Sequence, residues 1–129
     1  MHALLIALVV SGAPLIGKDF KLTCPQGTVQ TGGPRSALMS LTCARTGADG
    51  TRTFVGPYYS FYKSGAVEAV GQLEDGFRSG LWMFYDEHGV LAGETEFKHG
   101  DFHGRRVFYR PDGSVRAVEH YVEGRRQVR

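Results

Sequence analysis

Residues 80–104 read GLWMFYDEHGVLAGETEFKHGDFHG, and the spacing of their glycines decides the fold. Gly80 and Gly104 are one period apart, and Gly56 lies one period earlier. Glycine recurs nine places after each of these three, at Gly65, Gly89 and Gly113. It recurs again twenty places after them, at Gly76, Gly100 and Gly124. Nine glycines thus occupy three phases of one 24-residue period without a gap. Repetition at this length means stacked supersecondary units.

Each unit divides into two strand-like runs. The first is short and aromatic: YYSFY, LWMFY and RRVFY. A polar turn follows: KSG, DEHG and RPDG. The second run alternates: AVEAVGQL, VLAGETEF and SVRAVEHY. Aromatic and β-branched runs joined by a short glycine-bearing loop read as a β-hairpin. The loop glycine supplies φ > 0 at little cost, and the other two bracket the connection to the next hairpin. The expectation is an all-β fold: three tandem antiparallel hairpins (56–79, 80–103 and 104–127) in an elongated, twisted sheet. Six strands at about 4.8 Å each extend roughly 30 Å.

A register with Tyr85 opposite Leu91 sorts the side chains into two faces. One is a core face: Leu81, Met83, Tyr85, Leu91, Gly93, Thr95 and Phe97, with Tyr59, Phe61, Val67, Ala69 and Leu73 before them. Val107, Tyr109, Val115, Ala117 and Tyr121 follow on the same face. The other is mixed: Trp82, Phe84, Glu94, Glu96, Arg106, Phe108, Arg116 and His120. A slip of one residue would exchange the faces. Aromatic and arginine side chains in one patch are typical interface anchors. Trp82, Phe84, Arg106, Phe108, Arg116 and His120 are therefore the candidate partner-binding residues. The alternative is that these aromatics only pack across strands.

The remainder of the chain sets the context. It has 129 residues, enough for one small domain. Fifteen basic and 13 acidic residues leave a net charge of +2. That balance does not suggest a nucleic-acid binder. MHALLIALVVSGAPLIG is too short to span a bilayer and resembles a secretory signal peptide of about residues 1–13, cut after Gly12 or Ala13. The alternative is a buried first strand. Cys24 and Cys43 form an even pair behind this segment, which reads as a disulfide in a cysteine-bearing hairpin or cap over residues 18–50. Free thiols are the alternative. This hairpin, with sheet twist, is expected to cover the core face.

No catalytic constellation is visible. HGDFH (His99 to His103) falls where the other units carry Asp75 and Ser79, or Glu123 and Gln127. A metal centre wants three or four convergent ligands, so these residues are read as polar turn residues, with no metal and no cofactor. No serine or cysteine sits in a nucleophile setting.

The pattern of a glycine, an aromatic pair such as Phe84-Tyr85 or Phe108-Tyr109, a hairpin glycine, a strand and then DG, HG or EG resembles the MORN repeat. It is most similar to the bacterial variant of small YwqK-type, antitoxin-like proteins. The resemblance spans about Gly56 to Arg126. The first unit departs from it with Ser60 in place of the phenylalanine, and the third with Arg106 at the position of Trp82. The resemblance implies a non-catalytic β-hairpin array used for protein contacts, with lipid contacts in some members. The expectation is an exported monomer that binds an unidentified protein, with no nucleic acid. The alternatives are an antitoxin or immunity-like protein that neutralises a toxin, and an envelope element touching lipid. An exported chain would not meet a cytoplasmic toxin.

Overall fold

A computed structural model describes residues 12–17 and 19–128. Nine strands form one antiparallel sheet in chain order. They are β1 (Val29–Gly32), β2 (Ser40–Thr46), β3 (Arg52–Phe61), β4 (Val67–Glu74), β5 (Phe77–Tyr85), β6 (Leu91–Lys98), β7 (Asp101–Tyr109), β8 (Val115–Val122) and β9 (Arg125–Arg126). The all-β hairpin array expected from the glycine period is present, and the sheet is wider than its three hairpins.

Two kinds of turn alternate along it. Within each repeat, a three-residue loop closes with paired bonds, as at Asp86 N to Val90 O (2.8 Å) and Gly89 N to Asp86 O (3.0 Å). Gly89 sits at φ 83°, which makes this a type I turn followed by a left-handed glycine. Between repeats, only two residues separate the strands. Asp75-Gly76, His99-Gly100 and Glu123-Gly124 all have both φ values positive, the mark of a type I′ turn. The connections between repeats are thus themselves tight hairpins. Each also ties back to a neighbouring strand: Gly76, Gly100 and Gly124 donate their amides to the carbonyls of Phe54, Arg78 and Phe102 at 2.8–2.9 Å.

The expected register is present, with Tyr85 opposite Leu91. The expected faces are not. A bulge lies between Ser60 and Phe61, and again between Phe84 and Tyr85 and between Phe108 and Tyr109. Glu68, Ala92 and Arg116 are the extra residues. Because side chains alternate with a period of two, one extra residue sends the rest of the strand to the other face. Tyr85 and Met83 stay with Leu91, but Gly93, Thr95 and Phe97 join Phe84, Trp82 and Gly80. The single core face is therefore corrected to two apolar clusters, one on each side of the sheet.

The first cluster is built on Leu41, Phe61, Val67 and Tyr85, with Tyr59, Val70, Met83 and Leu91 around it. Its cover is a strap of residues 12–17 and 19–22, which contributes Ala13, Ile16, Phe20 and Leu22. This strap is fastened at both ends. The Ala13 amide donates to Gly89 O at 3.0 Å. At the far end Gln30 clamps the backbone, accepting from Leu22 N at 2.6 Å and donating to Phe20 O at 3.0 Å. Cys24 is bonded to Cys43, with Cα atoms 5.7 Å apart. The strap, and not the β1–β2 hairpin, covers this face, because that hairpin pairs edge-on with β3 and extends the sheet. Residues 1–11, which hold the apolar run of the signal-like segment, lie outside the described residues.

Candidate functional site

The second cluster forms the opposite face, and it holds most of the candidate residues. Trp82 is its centre and has no exposed surface. A glycine makes this possible: the indole lies where a Cβ on Gly71 would stand. The indole N–H is shared between the carbonyls of Gln72 and Ser79, both at 3.2 Å. Ring centroids then step across the sheet from Tyr58 to Trp82 (5.3 Å), Phe97 (5.9 Å), Phe102 (5.3 Å) and Tyr121 (5.0 Å). Tilted and edge-on contacts at these spacings are favourable beyond the area they bury.

Arginines are interleaved in this ladder. Arg78 lies 4.7 Å from the Trp82 centroid and 5.4 Å from that of Phe97. Arg106 lies 4.5 Å from Phe102 and 4.7 Å from Phe108, and Arg116 lies 5.2 Å from Phe108. Arg78 falls on the repeat phase of Phe102, and Arg106 on that of Trp82. Each guanidinium therefore occupies a place where another repeat has a ring, and stacks on the rings beside it.

The bulges also sort the acids. Glu94 pairs with Met83 and Val107 and leaves the ladder face, where its carboxylate accepts the Tyr109 hydroxyl at 2.7 Å. Burial, and after it this bond to Glu94, pushes the Tyr109 phenol above its usual range. On the ladder face Glu119 lies 3.7 Å from Arg106 and 3.8 Å from Arg126. Arg78 and Arg116 have no ion-pair partner among the described residues.

Between Phe84 and Phe108 the ladder face opens into a trough of about 340 Å³. Its floor is Gly93, which pairs with both phenylalanines and adds no side chain. Arg78, Phe97, Phe102 and Arg106 also line it.

The chain matches no protein-family model, no curated protein and no solved structure.

Of the six candidate residues, Phe84, Arg106, Phe108 and Arg116 converge on this trough or its rim. Trp82 is beneath it as support, with no surface to offer. His120 pairs with Arg105, and its strand neighbour Glu119 pairs with Arg106, so His120 belongs to the opposite face. Arg78 was not among the candidates, although its spacing from Phe102 is one repeat and could have singled it out. Of the two histidines in HGDFH, His99 lies in a type I′ turn. His103 accepts the Glu123 amide through Nδ1 at 3.1 Å. Among the described residues no three potential metal-binding side chains group together.

Proposed function

We propose that this chain is a non-catalytic, exported β-hairpin repeat module that contacts another protein through the ladder face. The observation that carries the reading is the open trough at Gly93, walled by half-buried Phe84 and Phe108 and flanked by two guanidiniums. Aromatic and arginine side chains around a partly desolvated hollow are the usual anchors of an interface. The rigid ladder beneath lowers the entropic cost of presenting them. The resemblance of the 24-residue units to MORN repeats supports the same reading.

Export is supported by the Cys24–Cys43 bridge, since disulfides persist in oxidising compartments. The signal-like start supports it too. Cleavage after Gly12 would make Ala13 the first residue and leave its nitrogen at the Gly89 carbonyl.

A photo-crosslinking phenylalanine analogue at Phe108, compared with one at Val118 on the opposite face, tests the contact in the protein's own host. The reading expects a discrete protein adduct from position 108 and none from 118. No adduct at 108, or the same adducts from both positions, contradicts it.

A further inference from the structure

The free guanidinium of Arg78 specifies what the trough would take. We propose that the Gly93 trough is a carboxylate-reading subsite: it seats an aspartate or glutamate from an extended segment of the partner, gripped by the Arg78 fork with the charge of Arg106 beside it. The proposal rests on the protein-contact reading above and deepens it.

Three observations lead to it. First, the bulge at Ala92 makes this face cationic. Without it Glu94 would point into the trough; with it Glu94 is held by Tyr109 on the far side. Arg78, Arg106 and Arg116 remain; of the acids on this side, Glu119 is shared between Arg106 and Arg126 and Glu68 accepts the Ser60 hydroxyl at 3.2 Å, so cations stay in excess. Second, both guanidiniums stack on rings. Stacking occupies a guanidinium's faces and leaves its N–H edge to grip a carboxylate through two parallel bonds. That edge has no ion-pair partner on Arg78 among the described residues, whereas on Arg106 it already meets Glu119 at 3.7 Å, so Arg78 supplies the grip and Arg106 the added charge. Third, the trough floor is backbone at Gly93 and its walls are phenyl rings, so an apolar neighbour of the acid has a place to pack.

The same geometry argues against bases of a nucleic acid. Base stacking needs a free aromatic face. Here Trp82 and Phe97 are buried and Arg106 lies over both Phe102 and Phe108, which leaves Phe84 as a single half-buried wall and not the row of platforms that successive bases need.

The test is fluorescence anisotropy of the full-length, oxidised protein with a rhodamine-labelled hexapeptide of alternating glutamate and phenylalanine. The lysine–phenylalanine counterpart, a short oligothymidylate and phosphatidylglycerol vesicles are the comparators. The glutamate peptide is expected to bind best. Arg78→Gln should weaken it about tenfold, the loss expected for one charge-assisted bond. Arg78→Lys, which keeps the charge and loses the fork, should fall between. Arg78 is exposed, and an unchanged far-ultraviolet circular dichroism spectrum with a cooperative thermal transition checks that the variants fold. Equal binding of the two peptides, stronger binding of oligothymidylate or vesicles, or an Arg78→Gln variant of unchanged affinity overturns the proposal. If position 108 still crosslinks a protein in that case, the contact reading stands and only the acidic preference is lost.

Discussion

The indole of Trp82 occupies the space that a Cβ on Gly71 would need. The ring cannot easily move aside. Its N–H is shared between two carbonyls, Arg78 lies over it, and Tyr58 and Phe97 flank it. Gly71→Ala is therefore expected to destabilise the fold by ~1–3 kcal/mol, the cost of overpacking a filled site. Thermal unfolding should show a lower midpoint, and the same glycine change should cost less in a Trp82→Leu background, where the clash is gone. A Gly71→Ala protein that melts with the wild type contradicts the packing described.

The loop glycines fail for a different reason. Gly65 and Gly113 have φ of 94° and 91°, with nothing within 4 Å of a Cβ placed on them. Alanine would meet no clash there but would be forced into a left-handed backbone, at about 1–2 kcal/mol. Chemical denaturation of Gly65→Ala and Gly113→Ala should show this loss. A D-alanine at the same position, introduced by semisynthesis, should show none. Equal losses for both enantiomers would mean a steric cause.

The Cys24–Cys43 bridge closes a separation of 19 residues, for which chain entropy alone gives about 3 kcal/mol. Replacing both cysteines with serine should lower stability by about that amount. The effect should concentrate in the strap. Hydrogen exchange at Ala13 and Leu22 should speed up far more than at the paired amides of β5 to β7. Uniform loss of protection across the sheet would show that the strap is not a separable cover.

Acid should loosen the loops. The Val90 amide, and after it the His88 amide, holds the Asp86 carboxyl below the usual aspartate range. The Ser114 hydroxyl and amide do the same for Asp112. A depressed folded pKa means that the folded chain takes up the proton less readily than the unfolded one. The stabilisation is then complete above the unfolded value of about 3.9 and disappears as pH falls through the lower folded value. Thermal midpoints should drop across that acid range, and the drop should be smaller in an Asp86→Asn, Asp112→Asn double variant. An unchanged acid limb contradicts the assignment.

The glycine period made the architecture legible, because each phase meets a backbone need that other residues serve poorly. Gly65, Gly89 and Gly113 all carry positive φ, as do their counterparts in the other two phases. The Tyr85–Leu91 pairing was legible too, since loop length sets it. The faces were not. The extra residues Glu68, Ala92 and Arg116 share no side-chain type, so nothing in their chemistry marks a bulge. A signal did exist nearby. Gly71 and Gly93 interrupt otherwise solid strands, and an isolated strand glycine marks a bulge or a close approach. Gly71 lies under Trp82, and Gly93 floors the trough beside the Ala92 bulge. The strap was illegible for another reason: residues 12–22 carry no strand period and find their place only once the sheet exists.

Trp82 is the sole tryptophan of the chain, and its burial depends on the bulged register. Acrylamide quenching of its fluorescence in the folded protein is thus the most direct test of the account. Blue-shifted emission, quenched far less than in the denatured chain, is the predicted result. Emission like that of indole in water, quenched as readily folded as unfolded, would place Trp82 on an open face and contradict the aromatic ladder.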